Sequence, residues 1–495
     1  MLLAVGLVAL PLAVVAPAAA AQAAACTRVK SDFNGDGRAD VAAGAPDDAD
    51  GRGSVSIAYD PVGTGGSAAK QTISGSVVSL ERGFGNSLAA GYFDADCYAD
   101  LVVGTYYDQR VVVLRGSASG LTTVDATVLG RSDIPGGDGH TNFGFALAAG
   151  DFNRDGVDDV AVGSPGPLSY DGDSEPQPGD GGAVAILPGS SGGVTADGGR
   201  WIMQGADGMP GVADGWEALG AALATGDFNG DSFVDLAIGV PGEDGGGFEG
   251  GGAGGLLAVQ GGPDGLTSAH AVFLDQSAPG VPGTREQGDN FGRALAAGDV
   301  TGDGLADLVV GSPGEALGDL EYAGSIAVLP GSRTGVSGTG SYSFSQDSAD
   351  VPGTAERHDK FGAALAVSDV NADGAQDIAV GSPGEDVGTA TDTGSVTILY
   401  GTGRAPSAKG ARYLDQNSAG IPGANESGDG FGRPLTAVAA ALVVGAPDEQ
   451  TGSGAATATG AFSVLTGNLS AGTFFGPAQF PRVAPGESHL GWSLG

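Results

Sequence analysis

Short apolar segments separated by clusters of glycine, proline, asparagine and aspartate recur along most of the chain. The segment DLVVGSP at 307–313 is almost continuously apolar, which predicts an inner strand buried on both faces. GSIAVLPG at 324–331 predicts the next strand, and GSVTILYG at 394–401 and RYLDQN at 412–417 are strand signals of the following unit. With the segment that precedes each acidic loop, the pattern predicts four short strands per unit.

An acidic loop and a preceding FG segment mark each unit. The loops begin at Asp32, Tyr92, Asp151, Asp227, Asp299 and Asp369, at intervals of 59 to 76 residues. The FG segments contain Phe84-Gly85, Phe143-Gly144, Phe291-Gly292, Phe361-Gly362 and Phe431-Gly432, with Leu219-Gly220 as a variant. A seventh unit at 431–447 keeps the flanking segments and lacks the acidic loop. Such a repeat of four-stranded units predicts an all-β, seven-bladed β-propeller with antiparallel blades.

The two ends of the chain favour a closed ring over a linear solenoid. The first unit begins at its acidic loop, with no FG segment before it. HLGWSLG at 489–495 is an FG-type segment with no loop after it. The two halves complement one another, so we expect the C-terminal strand to join the first blade and close the ring.

Composition narrows the choice of partners. Asp and Glu number 59 against 21 Lys and Arg, which gives a formal charge of −38. So acidic a surface repels nucleic acid and anionic lipid and suits divalent cations. Hydrophobic residues make up 41% of the chain, in regular runs, which favours folded strands over disorder.

Residues 1–25 are apolar and then rich in alanine, as in a cleaved secretory signal, so residues 26–495 are expected to form a single propeller domain. The segment departs from that pattern in having no Lys or Arg near its start, and a membrane-spanning helix is the alternative. Pro11 and Pro17 interrupt the apolar core, however, and no second apolar stretch follows. We therefore expect a secreted, extracellular and monomeric protein without a membrane span.

The full repeat, FGxxLAxGDxNxDGxxDxxVGxP, resembles the FG-GAP repeat of the integrin α-subunit N-terminal propeller and its bacterial relatives. The resemblance covers essentially all of residues 30–495, and its several copies in order make it specific. It implies a bacterial secreted member of the family. It also implies ligand binding and adhesion on one face of the propeller.

The acidic loops carry the side chains that calcium prefers, because calcium needs six to eight hard oxygen ligands on a short flexible loop. In the first loop, Asp32, Asn34, Asp36 and Asp40 offer side-chain oxygens and Arg38 a carbonyl. The corresponding ligands in the third to sixth loops are Asp151, Asn153, Asp155, Val157 and Asp159; Asp227, Asn229, Asp231, Phe233 and Asp235; Asp299, Thr301, Asp303, Leu305 and Asp307; and Asp369, Asn371, Asp373, Ala375 and Asp377. We expect five or six structural calcium ions. The alternative is an Asx-rich turn with no ion.

The second loop departs from this pattern. Tyr92 replaces its first acid and Cys97 its glycine, which leaves Asp94, Asp96 and Asp100 as candidate ligands. Cys26 and Cys97 are an even pair in an exported chain, which suggests a disulfide. A lipoprotein cysteine at position 26 is the alternative, although Ala23 stands where that signal needs a Leu-like residue.

Signals for catalysis are weak. GWSLG at 491–495 matches G-x-S-x-G with Ser493 as nucleophile, but that motif needs a following helix and a later histidine, so a strand is the better interpretation. The histidines at 140, 270, 358 and 489 are scattered and are expected to be solvated loop residues. Glutamates 243, 315 and 385 recur in PGE segments, which indicates a turn.

If the calcium loops join strands 1 and 2 of each blade, the 3–4 turns share their face and the longer 2–3 and 4–1 connections lie on the opposite face. These connections include 165–182, 241–255 and 277–290. The first functional hypothesis is a calcium-stabilised recognition or adhesion module that binds an extracellular protein or glycan there. The alternatives are a secreted enzyme acting on polysaccharide or ester substrates, which only the fold supports, and a structural component of the cell surface.

Overall fold

The computed structural model describes residues 28–105, 107–137, 139–166, 181–213, 215–244, 251–450, 459–481 and 488–495. Seven four-stranded antiparallel sheets form the seven blades of a β-propeller, which confirms the predicted fold class. The predicted signal segment and Cys26 lie outside the described residues.

Each blade is a meander whose strands are numbered here along the chain. Blade 1 contains β1 (Val41–Ala45), β2 (Ser54–Tyr59) and β3 (Ala69–Ser74) together with a C-terminal strand given below. Blade 2 contains β4 (Ser87–Gly91), β5 (Asp100–Thr105), β6 (Arg110–Arg115) and β7 (Thr122–Gly130). Blade 3 contains β8 (Leu147–Gly150), β9 (Asp159–Ser164), β10 (Ala183–Leu187) and β11 (Arg200–Ile202). Blade 4 contains β12 (Leu223–Gly226), β13 (Asp235–Val240), β14 (Gly255–Val259) and β15 (Val272–Leu274).

The remaining blades repeat the same order. Blade 5 contains β16 (Ala294–Gly298), β17 (Asp307–Ser312), β18 (Ser325–Leu329) and β19 (Tyr342–Phe344). Blade 6 contains β20 (Ala364–Ser368), β21 (Asp377–Ser382), β22 (Ser395–Gly401) and β23 (Pro406–Leu414). Blade 7 contains β24 (Leu435–Val438), β25 (Ala441–Ala446), β26 (Ala461–Thr466) and β27 (Ala471–Phe475), and the C-terminal strand β28 is Ser493–Leu494. The helical segments are α1 (Asp48–Gly51), α2 (Pro61–Thr64) and the short 3-10 turns Gly65–Ser67, Gly75–Val78, Arg131–Asp133 and Pro477–Gln479.

The strand that follows each FG motif lies nearest the propeller axis. These seven strands surround a central channel of about 280 Å³ lined mainly by leucine, alanine, valine and threonine. The continuously apolar DLVVGS segment forms β17, the second strand of blade 5, and all its residues are buried. It is therefore an inner strand buried on both faces, as predicted, and it is the second strand of its blade.

Two glycines of the repeat make a close contact between neighbouring blades. A Cβ added to Gly311, at the end of β17, would lie 2.1 Å from the carbonyl oxygen of Gly362 in the next FG motif. Phe361 of that motif is fully buried and forms a parallel bridge to Gly324 at the start of the third strand of blade 5. The same glycine-to-carbonyl approach, at 1.9 to 2.5 Å for an added Cβ, recurs at Gly44–Gly85, Gly104–Gly144, Gly163–Gly220, Gly239–Gly292, Gly381–Gly432 and Gly445–Gly491. Only glycine fits where the two blades meet.

The C-terminal strand closes the ring. Strand β28 pairs antiparallel with β1, placing Leu494 opposite Ala43 and Ser493 opposite Gly44. Backbone hydrogen bonds join Ala42 and Gly495 in both directions, at 2.9 and 3.0 Å. The predicted union of the chain ends in blade 1 is thereby confirmed.

The meander sends its connections alternately to two faces. The acidic loops and the 3–4 turns share one face, here called the loop face, and the 2–3 and 4–1 connections share the opposite face. Neighbouring loops are tied by backbone hydrogen bonds, such as the Ala99 N–H to the Asp32 carbonyl at 2.9 Å and the Ala306 N–H to the Asp227 carbonyl at 3.0 Å. A 3–4 turn joins in, since the Ser332 N–H donates to the Phe228 carbonyl at 3.0 Å. On the loop face, neighbouring loops and turns are therefore held together by backbone hydrogen bonds.

Candidate metal-binding loops

The first acidic loop winds its polar side chains around its own backbone. Asp32 accepts hydrogen bonds from the N–H of Asp36 at 3.1 Å and of Gly37 at 2.8 Å. Asn34 Oδ1 accepts from the same Asp36 N–H at 2.9 Å, and Asp36 Oδ1 accepts from the Arg38 N–H at 2.9 Å. Oxygens of Asp32 and Asn34 that share one donor must lie side by side. The loop therefore gathers carboxylate and amide oxygens on a single short turn.

The same pattern recurs in the third, fourth, fifth and sixth loops. The first aspartate accepts from the N–H groups four and five residues ahead in each case: Asp151, Asp227, Asp299 and Asp369. The middle aspartate accepts from the N–H two residues ahead: Val157, Phe233, Leu305 and Ala375 donate to Asp155, Asp231, Asp303 and Asp373. The fifth loop differs at its third position, where the Thr301 hydroxyl donates to Asp307 at 3.3 Å.

The last aspartate of each loop is buried and anchors the loop to its blade. Asp40 is fully buried, and its two oxygens accept from the N–H of Phe33 at 2.9 Å and of Asp60 at 3.0 Å. Burial raises the pKa of Asp40 to about 7. Repulsion from Asp32 and Asp36 adds to this effect, and the two backbone hydrogen bonds oppose it. Burial likewise raises the pKa of Asp100 to about 7 and of Asp159, Asp235 and Asp377 to about 6, and it raises that of Asp307.

These loops fit a hard cation by the chemistry of their donors, which are Asp and Asn oxygens with backbone carbonyls nearby. Within the described residues, no group of three or more Asp, Glu, His or Cys side chains is arranged to hold a metal ion. The carboxylates accept backbone N–H groups instead, as described above. Calcium binding therefore stays a prediction that rests on the residue types and their spacing.

An arginine that sequence reasoning missed lies against the second loop. Arg115 Nη1 is 3.3 Å from Asp94 Oδ2, and its other terminal nitrogen donates to the Gly192 carbonyl at 2.5 Å. Asp96 Oδ1 accepts from the Tyr98 N–H at 2.8 Å. A guanidinium thus supplies positive charge in the loop where Tyr92 replaces the first acid. In the sequence, Arg115 is only a basic residue at the end of a predicted strand. Such residues are too common to indicate a contact with an acidic loop.

The other chemically interesting residues take structural positions. Ser493 lies in β28 and its hydroxyl donates to the Gly85 carbonyl at 2.7 Å, which confirms the strand interpretation. His140 is buried against Trp201, with ring centroids 4.4 Å apart, so its prediction as a solvated residue was wrong. Cys97 is disulfide-bonded. The sequence holds two cysteines, and since Cys26 lies outside the described residues, the pairing stays a prediction.

The opposite face carries residues of mixed charge on its connections. Tyr322 is 40% exposed and stacks on His358 with ring centroids 5.3 Å apart. Arg357 Nη1 lies 3.1 Å from Glu321, and Arg285 Nε lies 3.2 Å from Asp275. The expected contact residues Tyr170 and Glu249 lie outside the described residues.

The fold and the loops together define a class of protein. It is a closed seven-bladed propeller with an Asx-rich loop between the first and second strands of most blades. Five segments of the chain match the FG-GAP repeat: residues 30–57, 143–187, 219–257, 291–329 and 361–399. The units with the altered second loop and the missing seventh loop lie outside these matches, as their departures would lead one to expect. The chain therefore carries FG-GAP repeats.

The chain is similar both to integrin alpha chains and to proteins named as phospholipases. The chain is 29% identical to integrin alpha-PS2 of Drosophila melanogaster over 276 residues, covering 51% of this chain and 18% of that protein. It is 34% identical to integrin alpha-X of Mus musculus over 194 residues, 38% of this chain and 14% of that protein. It is 32% identical to phosphatidylinositol-glycan-specific phospholipase D of Dictyostelium discoideum over 189 residues, 37% of this chain and 19% of that protein. The matched region spans less than a fifth of each of these relatives.

Within the described residues, no helix has the length and apolarity needed to cross a membrane.

Proposed function

We propose that this chain is a secreted, calcium-stabilised recognition module that binds an extracellular protein or glycan through its opposite face. The observation that carries the proposal is the difference between the two faces of the propeller. The acidic loops repeat one hydrogen-bond pattern and are tied to one another, whereas the connections on the other face vary in length and charge. Specific recognition needs such differences between copies. The similarity to integrin alpha chains supports the same assignment.

Calcium supplies the positive charge that the acidic loops lack. The proposed ligands are those named from the sequence: three Asp side chains, one Asn or Thr oxygen and one carbonyl per loop. The chain's own contribution is to hold these oxygens on a turn fixed by the buried last aspartate, such as Asp235, which accepts from the N–H groups of Phe228 and Gly261 at 2.9 Å each. The role is structural, because close unpaired carboxylates repel one another and a bound cation removes that repulsion.

The partner surface is proposed to include the connections around 277–290 and 314–323. Tyr322 and His358 form an exposed aromatic pair there, and Arg357 with Glu321 adds a solvent-exposed ion pair beside it. Aromatic and arginine side chains are enriched at the energetic centres of interfaces. We take this group as the first place to look for a contact.

The calcium part is tested by thermal unfolding of the full chain in excess chelator and in millimolar calcium. A ligand that binds the folded but not the unfolded chain stabilises the fold, and the unfolding midpoint then rises with ligand concentration. At a hundredfold excess over Kd, the free energy of unfolding increases by roughly 2.7 kcal/mol per site. An identical midpoint in the two conditions contradicts the structural-ion proposal.

The recognition part is tested by screening glycan and protein arrays with and without calcium. Any partner found is then measured against Tyr322→Ala and Arg357→Ala, with Ser232→Ala on the loop face as a matched surface control. Loss of affinity in the control with retention in the first two variants would show that the faces are reversed.

An enzyme is the second candidate, favoured by the similarity to a protein named as a phospholipase D. That similarity covers 37% of this chain and a fifth or less of the relative, so it concerns the repeats they share. The proposed substrates are polysaccharides or esters. Hydrolysis of a panel of phosphodiester, ester and glycan substrates by the purified chain, absent in a heat-inactivated control, would establish this alternative over the first.

A further inference from the structure

A second set of acidic residues is buried between blades on the opposite face. At the boundary of blades 4 and 5, Gln276 follows β15, Asp289 precedes the FG motif, and Glu315 follows β17. Gln276 Nε2 donates to Glu315 Oε2 at 3.0 Å across the boundary. We call Gln276, Asp289 and Glu315 the interblade cluster, and it lies at the end of the blades remote from the acidic loops.

The cluster recurs at the next two boundaries. The equivalent residues are Gln346, Asp359 and Glu385 between blades 5 and 6, and Gln416, Asp429 and Glu449 between blades 6 and 7. Gln204 and Glu243 form the same amide-to-carboxylate bond, at 3.0 Å, between blades 3 and 4. The donor glutamine precedes its glutamate by 39 residues at Gln204, Gln276 and Gln346, and by 33 residues at Gln416. Recurrence at four boundaries indicates a designed feature of the repeat rather than an accident of one loop.

At three boundaries the cluster contains a buried aspartate, which is Asp289, Asp359 or Asp429. Asp289, Asp359 and Asp429 are at most 2% exposed. Within the described residues, none of them and none of their partner glutamates forms an ion pair. One oxygen of Asp289 accepts from the Glu286 N–H at 2.9 Å, which satisfies only part of its capacity. Burying carboxylates without a compensating charge is costly.

Buried oxygens in the clusters also lack any donor. The Oε1 atoms of Gln204, Gln276, Gln346 and Gln416 have no hydrogen-bond partner, although each residue is at least 93% buried. Asp429 is fully buried and its Oδ1 is likewise without a partner. Such atoms are uncommon in folded proteins and point to a bound species that completes them.

A cavity provides room for that species. It measures about 100 Å³ between blades 4 and 5. Gln276, Glu315 and the hydroxyl-bearing Ser312, Ser325, Ser343 and Ser345 line part of it, and apolar residues such as Phe291, Leu317 and Ile326 line the rest. A single water needs about 10 to 15 Å³ by the same measure of volume, so the space is large enough for an ion with several waters. The polar part of its lining offers carboxylate, amide and hydroxyl oxygens, which are the hard ligands that calcium prefers.

We propose that the interblade clusters are a second class of calcium site, in which the glutamine amide oxygen and the Glu and Asp carboxylates hold a partly hydrated ion between adjacent blades. The ion joins strand 4 of one blade to the 2–3 connection of the next. It would act at the end of the blade boundary opposite to the acidic loops. The assignment does not depend on calcium in those loops.

The test measures bound calcium in the full chain by equilibrium dialysis and elemental analysis. Glu315→Gln and Glu385→Gln are each expected to lose one ion, and the double variant two, with a smaller calcium-induced rise in the unfolding midpoint. Glu321→Gln is the matched control, because this glutamate lies in the same connection and is 64% exposed. Its stoichiometry is expected to equal that of the wild type.

The glutamine substitution separates an ion from a proton or a water. Glutamine mimics a protonated glutamate in shape, so a cluster held by shared protons or ordered waters alone would keep its ion count and its stability in Glu385→Gln. That result overturns the proposal. Gln276→Leu offers a second route, because it keeps both carboxylates and removes only the amide oxygen. Unchanged calcium stoichiometry in that variant also counts against the assignment.

A loop variant keeps this proposal distinct from the proposed function. Asp303→Asn alters an acidic loop and leaves the interblade cluster intact. Loss of an ion in Asp303→Asn, without loss in Glu315→Gln, refutes the interblade sites and supports the loops. The reverse result supports the interblade sites and refutes a loop ion in blade 5.

Discussion

Replacing Leu490 by alanine tests whether the last strand is part of the ring or a frayed end. Leu490 is fully buried in a cluster that includes Val41 of blade 1 and Phe462 of blade 7, and it forms a parallel bridge to Gly460. A large-to-small change at such a site removes apolar burial and leaves a cavity. We expect Leu490→Ala to lower the free energy of unfolding by about 2 to 5 kcal/mol.

Trp492, two residues further on, provides the matched control. Its side chain is 39% exposed, so Trp492→Ala is expected to have a much smaller effect than Leu490→Ala. Both variants and the wild type are unfolded in urea at constant calcium and followed by near-ultraviolet circular dichroism. The denaturant midpoint should fall in Leu490→Ala at nearly unchanged slope. Equal midpoints for all three proteins would refute the closure, because a free terminus tolerates such changes.

Three further predictions concern the loops, the blade contact and one histidine. Asp231→Ala should remove one bound calcium, whereas Asp94→Ala should remove none because Arg115 already offsets that carboxylate; equal losses by dialysis would contradict this ranking. Gly311→Ala should lower the free energy of unfolding by about 1 to 3 kcal/mol, since its Cβ would meet the backbone of the next blade at 2.1 Å. An unchanged free energy of unfolding in urea would contradict this steric argument. Burial lowers the pKa of His140 below its ordinary value of 6.5, so the unfolded chain binds a proton at this residue more readily than the folded chain does. The buried neutral imidazole is therefore tolerated above pH 6.5, and the protein loses stability as the pH falls below that value. His140→Gln should therefore show a smaller difference in midpoint between pH 7.5 and pH 5.5 than the wild type, and an equal difference would count against it.

The sequence predicted the fold because each repeat encodes its own strands and turns. The FG motif, the acidic loop and the apolar run recur in one order, and the order alone gives a meander. The complementary halves at the two ends gave the closure and the number of blades. These are local and periodic signals, which survive without knowledge of any contact.

The contacts between repeats were beyond such reasoning. The pairing of Gln276 with Glu315 joins two residues of different units, and the PGE segments by themselves indicated only a turn. Arg115 beside Asp94, within one blade, and His140 against Trp201 depend on how side chains pack in three dimensions.

The hydrogen bonds between Ala42 and Gly495 have a consequence for the order of assembly. Synthesis delivers the first residues of blade 1 early and their innermost partner strand last, with the whole length of the ring between them. Blades 2 to 7 each draw their four strands from one continuous stretch, so they have local partners as soon as they emerge. Blade 1 waits with an open edge, and long-range pairing of this kind is slow and exposed to misassembly. Of the seven blades, the first to be synthesised is therefore the last to complete its sheet.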